Sequence, residues 1–182
     1  MRNPDPLEYA WWLSSRAAGV VAFTLVALSV LIGLGMANRL VRGRSVVKLH
    51  EHLALAGLVA IAVHMITLLG DSFLSPSAVE LLVPFTMDHA PLFTGLGVIA
   101  AYLAALLGLS FYARRRIGAK RWRSLHRLTV LVYVLGVIHT LGAGTDAEAP
   151  WLRAVMFATG APILFLFLWR VLPQDAPARE TA

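Results

Sequence analysis

The stretch Leu49–Asp71, LHEHLALAGLVAIAVHMITLLGD, decides the fold of this chain. From Leu53 to Val63 every residue is apolar or glycine, and the whole segment is long enough to cross a bilayer core, which takes about 20 residues as a helix. A second stretch, Trp122–Asp146, WRSLHRLTVLVYVLGVIHTLGAGTD, has the same design. Each carries two histidines: His50 and His64 are 14 residues apart, His126 and His139 are 13 apart. At about 1.5 Å per residue, the two histidines of one helix lie about 20 Å apart. Ionisable side chains are costly in apolar helices and mark ligands, proton paths or partners. Two helices with the same two-level spacing can clamp one flat metal cofactor near each face of a membrane.

The rest of the chain has the same apolar character. Of 182 residues, 58% are hydrophobic and 14% charged, the composition of an integral membrane protein. Five stretches are long and apolar enough to span, at 17–38, 47–69, 92–113, 123–143 and 151–171, which predicts an all-α bundle of five transmembrane helices. Val20–Met36 contains no charge at all. Ser77–Thr86, SAVELLVPFT, is too short to span and is broken by Pro84, so it reads as an amphipathic interfacial segment or a re-entrant loop. The first apolar run is too long for the core of a cleaved signal, and what precedes it lacks a strongly basic start. The polar end, 172–182, is expected to be a disordered cytoplasmic tail. The absence of cysteine excludes disulfides, iron–sulfur clusters, thiolate ligation and covalent c-type heme attachment. Any redox cofactor is then held by histidine, methionine or non-covalent contacts.

The net charge of +6 is distributed by loop. Arg39, Arg42, Arg44 and Lys48 fill the first connection, and Arg114, Arg115, Arg116, Lys120, Arg121 and Arg123 fill the third. The second holds Asp71, Glu80 and Asp88, and the fourth holds Asp146 and Glu148. The positive-inside rule places the first and third connections in the cytoplasm, the N-terminus outside and the C-terminus inside; Arg170 agrees. Aromatic residues mark the same boundaries, with Tyr9, Trp11, Trp12 and Trp151 outside and Trp122 and Trp169 inside. The basic residues are accounted for as topology determinants, which leaves no role for nucleic acid. Only Lys48 and Lys120 are lysines, the bias of a GC-rich bacterial genome, so the expected location is a bacterial plasma membrane.

The second and fourth spans run parallel, so pairing by depth gives His50 with His126 near the inner face and His64 with His139 near the outer face. Neutral imidazole is a good axial ligand for heme iron. At 100° per residue, 14 residues return to within about 40° of the same face, whereas 13 leave the side chains about 140° apart. The fourth span therefore calls for an irregularity near Gly136 or for two different directions of approach. His52, about 200° around the helix from His50, is an alternative inner ligand or an interfacial histidine. His89, after Asp88, is a metal- or partner-docking candidate or a solvated loop residue. Gly57, Gly95, Gly97 and Gly136 can admit a macrocycle or a packed helix, and Met65 and Met87 read as packing rather than soft ligands.

The two histidine stretches resemble the paired helices of the ferric reductase-like transmembrane domain superfamily. That superfamily includes NADPH oxidases, ferric reductases and the heme-binding membrane subunit of the periplasmic methionine sulfoxide reductase system. The likeness covers residues 10–171, and the 14 and 13 spacings match the ligand pattern of its diheme members. The resemblance implies two heme b groups per chain, ligated by His50 with His126 and by His64 with His139, and electron transfer from the cytoplasmic to the outer face. Arg16 and Arg153 outside, and Arg127 with Arg44 and Lys48 inside, are candidate propionate partners. The implied activity is that of an oxidoreductase, or an electron-transfer subunit of one, reducing ferric iron, oxygen or a redox partner outside. Two other readings stand beside it: a non-catalytic subunit passing quinol electrons to a periplasmic reductase, and a heme-free membrane scaffold or transporter. The stretch given has no flavin or NADPH domain, so the expected electron donor is a separate flavoprotein, a quinol or a bound flavin. No catalytic residue is identifiable.

Overall fold

The structure is a computed structural model that describes residues 6–172; all but the first residue of the expected disordered tail lies outside the described residues. Helices follow in the order α1 (Pro6–Ala37), α2 (Arg44–Leu68), α3 (Ala78–Leu82), α4 (Pro91–Ile117), α5 (Ala119–His126), α6 (Thr129–Ala143) and α7 (Pro150–Val171), with no strand among the described residues. Five helical stretches are long and apolar enough to cross a membrane: Tyr9–Ala37, Arg44–Leu68, Pro91–Ile117, Ala119–Ala143 and Pro150–Val171. The chain is an all-α, multi-pass membrane protein. The first helix starts earlier than the apolar pattern predicts, because nothing between Leu7 and Ala18 breaks it and Pro6 suits a first turn.

α1 is the central helix. It packs along α2, and its Phe23, Ala27, Val30 and Leu34 form the core with Tyr133 of α6 and Leu152, Met156 and Ile163 of α7. α4 packs mainly on α6. The opposite flanks stay bare: Val59, Ile66, Leu106, Phe157 and Leu164 are all more than half exposed, which is stable only against lipid.

The fourth span is two helices. α5 ends at His126 and α6 starts at Thr129. Across the join the backbone bonds tighten to three-residue steps, with Leu128 N–H on Leu125 O, Val130 on Arg127 and Leu131 on Leu128. The Thr129 hydroxyl donates to His126 O at 2.8 Å. The irregularity that the 13-residue spacing demands therefore lies at Arg127–Leu128, directly after the histidine, and Gly136 sits in regular helix. A 3₁₀ step turns about 120° per residue instead of 100°, so the join adds twist and swings His126 back toward the face of His139.

The α2–α4 connection folds back beside the helices. Asp71, only 3% exposed, accepts the N–H groups of Phe73 and Leu74 and ends α2. Ser77 and Glu80 close a reciprocal capping box on α3, and the two hydrogen bonds from Ser77 hold the Glu80 carboxyl below its ordinary pKa. Tyr102 on α4 donates to Leu82 O, and the Phe85 ring lies over Gly95. The segment thus lies along the first half of α4. Two faces result: a basic face carrying the α1–α2 and α4–α5 connections, and an acidic face carrying the other two.

Candidate functional site

Parallel α2 and α6, with α5, bring the four histidines together in pairs by depth. At the basic face the His50 and His126 rings have centroids 6.0 Å apart and stand nearly perpendicular, at 87°. Toward the acidic face His64 and His139 are 6.4 Å apart at 72°. An imidazole nitrogen lies about 1 Å from its ring centre and binds a first-row metal at about 2 Å, so two imidazoles sharing one metal ion put their centres about 6 Å apart. Both pairs have that separation.

Three of the rings are held alike. His64 Nδ1 lies 2.7 Å from Ser15 O, His50 Nδ1 2.9 Å from Ser29 O and His139 Nδ1 2.9 Å from Phe93 O. A carbonyl only accepts, so Nδ1 carries the proton in each case and Nε2 keeps its lone pair for a metal. Four residues beyond each carbonyl, on the same helix face, stands a glycine against the same ring: Gly19 by His64, Gly33 by His50 and Gly97 by His139. His126 differs. Its Nδ1 is buried and forms no hydrogen bond to the described residues. Trp122 stacks on its ring at 4.8 Å and donates its own N–H to Ser110 Oγ at 3.1 Å.

Among the described residues no three His, Asp or Glu side chains gather into a metal-holding group. Each pair offers two ligands, which suits a metal whose remaining positions are filled by a planar macrocycle. A cavity of about 270 Å³ adjoins His64 and His139, walled by Gly19, Phe23, Gly97, Ala100, Val132 and Tyr133 and reaching Asp71, Glu80, His89 and Asp146 at the acidic face. Its lining is mainly apolar, as a flat hydrophobic cofactor requires.

The other residues singled out by sequence fall in different places. His52 is exposed and joins neither pair; His89 is exposed and lines the cavity. Arg16 lines the cavity too, with its guanidinium already paired with Asp146. Arg153 is exposed and donates to Ala147 O at 2.9 Å, and the exposed Arg127 side chain makes no hydrogen bond or ion pair with the described residues. Met65 and Met87 both line the cavity, Met87 as a buried residue of the α2–α4 connection. Gly57 lets α1 approach at Val26, Gly95 takes Phe85, and Gly136 has the Phe23 ring at ordinary contact distance. Sequence reasoning found α1 as a span but missed its contacts with the rings of His50 and His64. Its signal is a repeat: Ser15–Gly19 and Ser29–Gly33, both Ser-x3-Gly, are offset by the same 14 residues as His50 and His64.

The family described as "Ferric reductase like transmembrane component" matches residues 18–137, from the first half of α1 to within two residues of His139. No curated protein and no solved structure matches the chain.

Proposed function

The chain belongs to the ferric reductase-like transmembrane family, and on that premise we propose that it carries electrons across a membrane through two heme b groups, one per histidine pair. The observation that carries the reading is the two facing imidazole pairs, three of whose rings have Nδ1 committed to a carbonyl and Nε2 left for iron. Bound heme supplies a one-electron couple at each level. The chain supplies the rest. His50 and His126 form the inner, cytoplasmic site, and His64 and His139 the outer one. Carbonyls of Ser15, Ser29 and Phe93 fix ring orientation and raise ligand basicity. Apolar side chains of α1, α4 and α6 exclude water from the outer site. Arg153 outside, and Arg127, Arg44 and Lys48 inside, are the cations available to carboxylate substituents, while Arg16 is shared with Asp146. The direction is inward to outward, from a flavoprotein or quinol donor to an acceptor at the acidic face, in a bacterial plasma membrane with the N-terminus outside.

Purified protein, expressed with ample heme supply, should show a b-type α band in the dithionite-reduced minus oxidised spectrum and two hemes per chain. His64→Ala or His139→Ala should remove one heme and leave the other. A colourless wild type would overturn the reading in favour of a heme-free scaffold.

A further inference from the structure

We propose that α1, which carries no histidine, orients both α2 imidazoles and tunes their donor strength through its Ser-x3-Gly repeat, with Gly19, Gly33 and Ser29 as positioning residues and Gly97 of α4 in the same role for His139. The inference rests on the heme-binding reading above and adds the residues that decide how each ring is presented.

The repeat works because α1 and α2 are antiparallel and both step by 14 residues, so one register satisfies both levels. At each level two constraints act on the ring. The carbonyl at the serine fixes rotation by accepting the Nδ1 proton, and the glycine one turn on leaves room for the ring edge. A methyl at Gly33 would lie 3.2 Å from His50 Cε1, one at Gly19 3.1 Å from His64 Cε1, and one at Gly97 2.5 Å from His139 Nδ1. At Gly19 and Gly33 the ring would yield by a few tenths of an ångström; at Gly97 it must move.

The levels are not equivalent. Ser29 Oγ stands 3.2 Å from His50 Nδ1, a second acceptor for the same proton, while Ser15 Oγ turns away to Trp12 O at 3.0 Å. On α4 the position 14 residues beyond Gly97 is Phe111, which leaves no such space, and His126 is seated by Trp122 instead. Acceptors at Nδ1 push charge onto Nε2 and favour the oxidised metal, so removing one raises the potential of that site alone.

The test is an optical redox titration with EPR of the oxidised, heme-loaded protein, the outer signal being assigned as the one missing in His64→Ala. Gly33→Ala should move the inner midpoint and g-values only, and Gly19→Ala and Gly97→Ala the outer ones only. Gly108→Ala, whose methyl would meet only a Leu58 side-chain carbon at 3.2 Å, should move neither. Ser29→Ala, which leaves the packing intact, should raise the inner midpoint, and Ser29→Thr should restore it. Unchanged midpoints in Gly33→Ala and Ser29→Ala, or equal shifts at both sites, would overturn the proposal. A wild type without heme would overturn the functional reading instead. In that case ¹⁵N-histidine NMR of the apoprotein still decides the orientation: His50, His64 and His139 should be Nδ1-protonated, and Gly97→Ala should alter His139 alone. Nε2-protonated rings would refute it.

Discussion

At the scale of single residues, the contact that matters most outside the histidines joins Arg16 on α1 to Asp146, 130 positions away before α7. Arg16 Nε reaches Asp146 Oδ2 at 2.5 Å while Nη2 meets Oδ1, and the guanidinium lies over Trp12 with its carbon 5.0 Å from the ring centre. Sequence reading gave Arg16 to an anionic substituent because arginine is disfavoured on the translocated side. The reasoning identified an arginine with a job but could not supply the partner, since only folding brings Asp146 to it. The Asp146 side chain is 7% exposed and Arg16 35%. A carboxylate that dry is destabilising without its cation, but the exposed half of the pair is screened. Asp146→Asn should therefore cost about 1–2 kcal/mol, read as a fall of a few degrees in the detergent-solubilised melting temperature. Arg16→Lys should cost nearly as much, because an ammonium cannot reproduce the two-pronged bond. The double variant should cost less than the sum, which a double-mutant cycle measures directly.

Among the elements, the five spans were legible because apolar runs of bilayer length have one reading, and the histidine levels followed from their spacing. The break at Arg127–Leu128 was not, because RSLHRLTV contains neither glycine nor proline. It arises where a charged helix with exposed Lys120, Arg121 and Arg123 meets an apolar one, and where Thr129 takes the His126 carbonyl from the backbone ladder. The glycines could be read as permitting close approach, yet whether to a ring or to a helix depends on register, which only packing fixes. α3 makes the same point in reverse. Ser77 and Glu80 form a readable capping signature, and their box holds a single turn of helix against α4. Ser77→Ala should loosen the connection by about 1 kcal/mol, seen as roughly fivefold faster limited proteolysis between Asp71 and Pro91 at neutral pH. Because Glu80 titrates below the ordinary carboxyl range in the folded chain, the box contributes in full above that range and is lost as pH falls below it, through the depressed pKa of the folded chain. The wild type should then approach the variant's cleavage rate in acid, and a rate independent of pH would exclude the carboxylate from the cap.

For the whole molecule, the decisive property is the charge difference between its two faces. Arg39, Arg42, Arg44, Lys48, Arg115, Arg116, Lys120, Arg121 and Arg123 are all exposed at one face, and among the described residues none forms an ion pair. Residues serving a folded network would be paired; these are arranged as translocation barriers, each disfavouring passage across the membrane. Asp71, Glu80, Asp88, Asp146 and Glu148 lie at the other face. Under the proposed function, a cytoplasmic basic face makes His50–His126 the receiving pair and His64–His139 the delivering pair; the opposite orientation would reverse donor and acceptor. Orientation is thus the property on which the direction of the proposed reaction depends. The chain contains no cysteine, so single introduced thiols report it without background. Ser72→Cys and Ala119→Cys place one thiol in an exposed position at each face. In intact cells or right-side-out vesicles, a membrane-impermeant maleimide should label Ser72→Cys at once and Ala119→Cys only after permeabilisation. The reverse pattern would turn the wire around, leaving both histidine sites intact but placing the donor at the acidic face.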